Sequence, residues 1–383
     1  MKIGLIGGLL LVPAGIYGQT KMESPNIVII EADDLGFGDL SCYGATAIQT
    51  SGMDRLANEG LRFTDAYCTA ATSTPSRYSL LTGMYPWSNP QAKILPGNAA
   101  LIIDTHRITL PKMMRSAGYV TGAVGKWHLG LGDGAVDWNQ PIYPGAKEVG
   151  YDYSFIQAAT NDRVPNERFV GKSGMGPRGD VILEADWCVE EFLKELDRLN
   201  LTDNTLVILT SDNGPVLDDG YQDQAEELVG SHKPAGPYRG WKTMRYAGGT
   251  CIPFIVRWPG VVEPGVSDAF VCQMDLLASL ASLVGQSYPD RTDSQNTLQT
   301  FLGKNRKGRN ELVIEGMLDY AYRQGDWVMI PPYPGENRTY ELYNIRKDPE
   351  QKNDLSESEP KVLRRMMMRF EELKRETGKK TNF

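Results

Sequence analysis

Two apolar, β-branched runs that each end in acids constrain this chain more than any other feature. Asn26-Ile27-Val28-Ile29-Ile30 leads into Glu31-Ala32-Asp33-Asp34, and Thr205-Leu206-Val207-Ile208-Leu209-Thr210 leads into Ser211-Asp212-Asn213-Gly214. Continuous apolar runs of this length read as strands buried on both faces, the kind that parallel sheets sandwich between helices. Ligand sites in open α/β sheets lie at the carboxyl ends of such strands, so both runs bring oxygen-bearing side chains to one edge. Asp33, Asp34, Asp212 and Asn213 supply no nitrogen or sulfur donor and suit a hard cation. Calcium accepts such a set with flexible geometry, while magnesium is stricter and keeps more water. Aspartate at a strand end also serves as a turn or helix cap, so either pair alone leaves both readings open. Two acidic strand ends in one chain favour the metal.

Strand, helix, strand is the recurring pattern between them. Residues 53–60 read as a short helix stopped by Gly60, 61–66 as a strand, 109–117 as a helix ending at Gly118, and 119–124 as a strand. Residues 181–199 form an amphipathic helix with Ile182, Ala185, Cys188 or Val189, and Phe192 on one face. Past residue 300 the texture changes. Residues 321–330 and 340–345 read as short antiparallel strands joined by a Pro- and Gly-rich connector. A last helix from Pro360 carries Val362, Leu363, Met366, Met367, Phe370 and Leu373 at helical spacing, which marks core packing. The expectation is a large α/β domain over 24–300 and a small α+β subdomain over 301–383, since 383 residues suffice for one large domain with an appendage.

Charge and cysteine content narrow the function classes. A net charge of −8 argues against a nucleic-acid partner, because phosphate neutralisation needs a clustered basic face. An anionic substrate must then meet a local cationic pocket. Met1-Lys2 followed by an apolar run over 3–16 has the pattern of a signal peptide spanning 1–18, too short to cross a bilayer comfortably. Export to the periplasm or the outside follows, with no membrane attachment after cleavage. The five scattered cysteines have no C-x-x-C spacing, so they read as buried small residues, with one or two bridges at most.

The residues that could do chemistry lie between the two acidic strand ends. Ser73-Thr74-Pro75-Ser76-Arg77, running into Leu80 and Leu81, places a serine and an arginine on the first turn of a helix, where free N–H groups favour an anion. An ordinary serine-capped helix fits the same five residues. Gly125-Lys126-Trp127-His128-Leu129-Gly130 follows the strand expected to end at Val124 and points Lys126 and His128 the same way. Of the three histidines, His106 reads as a surface or structural residue.

These segments resemble the signatures of the formylglycine-dependent sulfatases, within the alkaline-phosphatase-like superfamily. Ser73 to Arg77 followed by Leu81-Thr82-Gly83 is similar to the first signature, and Gly125 to Gly130 to the second. Tyr238-Arg239-Gly240-Trp241-Lys242 with Gly248-Gly249-Thr250 and Pro253 is similar to a third, and Glu341-Leu342-Tyr343-Asn344 with Asp348-Pro349 to a C-terminal one. The resemblance implies a central mixed, mostly parallel sheet flanked by helices. It also implies hydrolysis of a sulfate ester, one calcium ion on Asp33, Asp34, Asp212 and Asn213, and oxidation of Ser73 to formylglycine (3-oxoalanine) by a maturase. Arg77 would stabilise the hydrated aldehyde, His128 would assist proton transfer, and Lys126 and Lys242 would bind the sulfate of a sulfated carbohydrate. An unmodified serine could not turn over in this way, because a serine sulfate ester has no second hydroxyl to collapse. A phosphatase or phosphodiesterase of the same superfamily, or a catalytically impaired sulfoglycan-binding relative, are the competing readings.

The chain departs from the family pattern at three places. Ala247 and Cys251 stand where the family carries Glu and usually Arg. Between residues 151 and 180 the family has further strands and a second active-site histidine, and here a block looks excised near Pro165. His232 is a candidate replacement acid, with a structural role as the alternative. Arg163, Arg168 and Arg178 read either as contacts to an anionic sugar or as surface charges.

Overall fold

The computed structural model describes residues 24–160, 164–288, 291–333, 335 and 337–381. The signal-peptide segment and Arg163 lie outside the described residues. The strands are β1 (Asn26–Ala32), β2 (Leu61–Phe63), β3 (Ala66–Tyr67), β4 (Gly122–Lys126), β5 (Tyr153–Gln157), β6 (Thr205–Ser211), β7 (Phe254–Arg257), β8 (Gly265–Ser267), β9 (Val271–Cys272), β10 (Glu311–Glu315), β11 (Tyr320–Gln324), β12 (Trp327–Ile330) and β13 (Glu341–Asn344). The helices are α1 (Ser51–Asn58), α2 (Ser73–Thr82), α3 (Leu110–Ser116), α4 (Ala146–Val149), α5 (Gly176–Arg198), α6 (Ala225–Leu228), α7 (Leu276–Leu283), α8 (Leu298–Phe301) and α9 (Pro360–Thr381).

The main sheet has the order β1-β6-β7-β2-β8. β1 and β6 run parallel with Ala32 opposite Ser211, so both acidic segments leave the sheet side by side. Alternation on the inner strands feeds two cores. Leu206, Ile208, Phe254 and Val256 face the layer of α2, α3 and α7. Val207, Leu209 and Ile255 face α1 and α5. β1–β6 and β2–β8 pair parallel, and β6–β7 and β7–β2 antiparallel, so β7 alone is reversed and the sheet is mixed and mostly parallel, as expected. The reason lies in the connection. Residues 212–253 stay at the edge where β6 ends, so β7 enters from that edge and runs back, whereas a parallel partner would need a crossover.

β4 and β5 form a separate parallel pair beside β1, tied to it through the Tyr119 hydroxyl, which donates to Pro25 O at 2.9 Å. Strand β4 begins three residues later than expected because the turn at 117–118 that ends α3 is followed by irregular backbone over 119–121. The outer face of this ribbon is uncovered, with Val124 75% and Phe155 72% exposed. On α5, Val189 is buried and Cys188 exposed, which corrects the expectation that all five cysteines are buried; Cys68, Cys251 and Cys272 are.

The C-terminal sheet runs β10-β11-β12-β13, antiparallel throughout, with α9 packed on it through Met366, Phe370 and Leu373. It is joined to the main domain by charge and by backbone. Arg323 donates to both oxygens of Asp65 at 2.6 and 2.7 Å. The Ala71 and Glu315 amides donate to Glu315 O and Thr69 O, two to four residues before Ser73.

Candidate active site

Helix α2 is buried along its whole length, and its first residue is Ser73. Pro75 fits the first turn because its missing N–H would have had no partner there. Gly83, at φ 66°, ends the helix by donating to Ser79 O. Ser73 and Arg77 are one turn apart on the same face. Arg77 Nε donates to Ser73 Oγ at 2.9 Å, and Ser73 Oγ donates to Asp212 Oδ2 at 2.5 Å. The same guanidinium reaches Asp212 Oδ2 through Nη2 at 2.9 Å and Glu31 Oε2 through Nη1 at 3.1 Å. Helix and sheet edge therefore meet at one oxygen.

The acids converge as their strands predict. Ligand oxygens of Asp33, Asp34 and Asp212 all lie within 4.8 Å of one another. The Asp34 amide donates to Asp212 Oδ1 at 3.1 Å, and Asp34 itself sits at φ 57°, an uncommon conformation for a residue with a side chain. Asn213 Nδ2 donates to Asp34 Oδ1 at 2.7 Å, which turns Asn213 Oδ1 away as a buried acceptor without a partner. Burial, followed by the neighbouring charges of Asp212 and Asp34, pushes the Asp33 carboxyl up to about 7. Burial pushes Glu31 up to about 7 as well. For Asp212 burial works in the same upward direction, but Arg77 and Lys126 overcome it and hold the carboxyl well below the usual range. Three convergent carboxylates, an orphaned amide oxygen and no soft donor fit a hard cation such as calcium.

Two lysines balance this cluster from the open side. Lys126 Nζ lies 2.5 Å from Asp33 Oδ1, and Lys242 Nζ 2.7 Å from Asp34 Oδ2. Burial works against the charge on Lys242, yet Asp34 outweighs it and raises the pKa. The loop carrying Lys242 is held by close backbone packing: a Cβ on Gly248 would meet Gly240 O at 2.2 Å. At the end of this loop Gln351 Oε1 accepts from the Ala247 amide at 2.8 Å. His128 is buried, and its Nε2 lies 3.0 Å from Leu95 O; a carbonyl can only accept, so the proton sits on Nε2 and Nδ1 is a bare, unpartnered acceptor. Burial, then the charge of Lys126, pushes the His128 pKa down to about 4.

Asp33, Asp34, Ser73, Lys126, His128 and Lys242 open into one cleft of about 640 Å³. His232 does not join them. Its Nε2 is 2.8 Å from Asp39 Oδ1, and its side chain is 2% exposed. Arg178 completes that group, donating to Asp39 at 2.6 and 3.0 Å and to Val216 O. A fully buried aspartate claims both partners, so His232 is a structural residue rather than a replacement acid, and Arg178 is neither a surface charge nor a free sugar contact. Arg168 is exposed and lies over the Trp187 ring, and His106 is exposed as expected. Sequence reasoning missed Glu31 as an Arg77 partner. The available signal was an acid near the end of an otherwise apolar strand, which the structure leaves half-buried.

The family model for sulfatases matches residues 25–171 and 143–286. The chain belongs to the sulfatase family. Its members are sulfuric ester hydrolases, and that is the enzyme class of this protein. The chain is 39% identical to the N-acetylgalactosamine-6-O-sulfatase of Bacteroides thetaiotaomicron over 482 aligned positions, covering 93% of this chain and 94% of the relative. It is 30% identical to human arylsulfatase A, covering 77% of this chain and 71% of that one. A solved sulfatase structure from work on glycosaminoglycan metabolism by B. thetaiotaomicron superposes with a TM-score of 0.89 at 38% identity, covering 92% of this chain and 99% of that one. These likenesses favour the sulfatase reading over a phosphatase of the superfamily. Among the described residues, no helix of this sulfatase is long and apolar enough to cross a membrane.

Proposed function

We propose that this sulfatase hydrolyses a sulfate ester on a sulfated carbohydrate, with N-acetylgalactosamine 6-sulfate the first substrate to test, using a formylglycine made from Ser73 and a calcium ion held by Asp33, Asp34, Asp212 and Asn213. The observation that carries this reading is the convergence of Ser73 Oγ, Arg77 and the Asp33-Asp34-Asp212 cluster at the floor of a lysine-lined cleft. Formylglycine supplies a hydrated aldehyde with two hydroxyls, and calcium a Lewis acid. The remaining steps belong to the chain. Arg77 fixes the oxygen on residue 73 against Asp212. Lys126 and Lys242 neutralise charge that develops on the sulfuryl oxygens. His128 Nδ1, uncharged at neutral pH, takes a proton from a hydroxyl on residue 73. The reading includes export directed by residues 1–18 and encounter with a formylglycine-generating maturase.

Mass analysis of the Ser73 peptide after co-expression with a maturase tests the core of it. Loss of two hydrogens, together with sulfate release that stops on chelation and returns with calcium, is expected. An unmodified serine, or release indifferent to chelator, overturns it. N-terminal sequencing of exported protein checks cleavage near Gly18.

The reading also includes loss of an internal block near Pro165. Two facts support this: the two family matches overlap over 143–171, and the match to the B. thetaiotaomicron relative needs 482 positions where this chain has 383 residues. Among the described residues lining the cleft, His128 is the one histidine, and its low pKa suits a base rather than an acid. Substrates with good leaving groups, such as nitrophenyl sulfate, are therefore cleaved far faster than alkyl sugar sulfates. Comparable rates on the two would sink this part.

A further inference from the structure

The cleft lining is mixed in chemistry. It includes the aliphatic Ile94, Leu95, Val181 and Ile182 and, in contrast, Trp241, Tyr221, Asp218 and Asp219. Trp241 is 49% exposed, although it immediately precedes Lys242, whose ammonium is turned inward to Asp34. A large aromatic ring left half in solvent at the mouth of a cleft offers a flat apolar surface, the kind on which the C–H face of a sugar ring stacks. Asp218 and Asp219 are exposed beside it, and Asp219 Oδ2 stands 3.8 Å from Lys242 Nζ. Carboxylate oxygens only accept, so they suit sugar hydroxyls and oppose a second anion.

The cation inventory points the same way. Among the described residues that line the cleft, the cations are Lys126, Lys242 and Arg178, and each already faces carboxylates: Lys126 has Asp33 and, at 3.9 Å, Asp212; Lys242 has Asp34 and, at 3.8 Å, Asp219; Arg178 has Asp39. Both lysines stand at the sulfate end. No further described lining cation is available to a uronate or a second sulfate.

We propose that Trp241, Asp218 and Asp219 set specificity for a neutral, singly sulfated sugar, with Trp241 as the stacking platform and the two aspartates as acceptors that repel a neighbouring anion. This rests on the sulfatase reading above and goes further by naming the charge class of the substrate. Like charges brought together at a partly solvated rim cost binding by a factor of about ten.

Calorimetry on the calcium-loaded, unmodified Ser73 protein, which binds without turning over, tests it with two probes: N-acetylgalactosamine 6-sulfate and the same sugar linked to glucuronate. The neutral probe binds about tenfold tighter than the uronate one. The double substitution Asp218→Asn and Asp219→Asn closes most of that gap by tightening the uronate probe. Trp241→Ala weakens both probes about tenfold with unfolding temperature retained, and Trp241→Phe restores most of the loss. Equal binding of the two probes, a gap unchanged in the double variant, or failure of both probes to bind overturns the proposal. Conversion of Ser73 and calcium-dependent sulfate release are read separately, so the sulfatase reading stands or falls by its own result.

Discussion

The site is a lattice of opposed charges in which each cation serves more than one acid. Arg77 alone touches Ser73, Asp212 and Glu31, and lies 3.6 Å from Asp33. Removing one partner of a buried pair leaves an uncompensated charge, so Arg77→Leu lowers unfolding free energy by roughly 3–5 kcal/mol. Arg77→Lys recovers only part, because an ammonium cannot span three partners as a planar guanidinium does. Denaturant titration of both variants measures this, and a neutral effect of Arg77→Leu would refute it. His128 carries a pH prediction with a definite sign. Its folded pKa is pushed down to about 4, from an ordinary value of about 6.5. The unfolded chain therefore takes up the proton first as pH falls. The stability contributed by neutral His128 is fully present above about 6.5 and is lost as pH drops toward 4. His128→Gln flattens the dependence of unfolding free energy on pH across that window; an unchanged slope would show that the imidazole is not shielded.

Elements differ in how much they contribute. The inner strands are buried on both faces, so Phe254→Ala on β7 removes a ring that packs against Phe63 and Phe301 and costs roughly 3–5 kcal/mol. The β4–β5 ribbon has no cover on its outer face, and Phe155→Ser changes stability by less than about 1 kcal/mol. Thermal unfolding of the pair gives the comparison, and a large loss at Phe155 would mean that the ribbon face is covered in solution. The loop of residues 238–250 is set by glycines at close backbone approaches. Gly248→Ala places a methyl where Gly240 O stands at 2.2 Å, so the loop shifts and Lys242 leaves Asp34. Sulfate release is expected to fall about a hundredfold while the fold persists, since a displacement of about 1 Å in a positioning group has that effect. Wild-type kinetics in this variant would show that the loop yields without moving Lys242.

Folding and the cation site are coupled across the whole molecule, because Asp33, Asp34 and Asp212 meet only when β1 and β6 pair. A cation that binds the folded form alone stabilises it by about 2.7 kcal/mol at a hundred times its dissociation constant. Calcium is expected to raise the unfolding temperature by a few degrees and chelation to remove the gain. No shift in scanning fluorimetry would count against the Asp33-Asp34-Asp212-Asn213 ligand set. At the same scale the sequence by itself determined the two acidic strand ends, the serine and arginine one turn apart on a helix, and the lysines and His128 that surround them. The strand ends and the helix turn are readable because strand and helix periodicity place side chains from local spacing, whereas the lysines and His128 take their meaning from the resemblance to the sulfatase signatures. It could not say that Asp39 holds His232 away from the cleft, that Glu31 leans on Arg77, that β7 enters reversed, or that Trp241 faces solvent beside two aspartates. Those outcomes join residues that are up to about two hundred positions apart in the chain, and buried charges choose among such partners only once packing has removed water from around them.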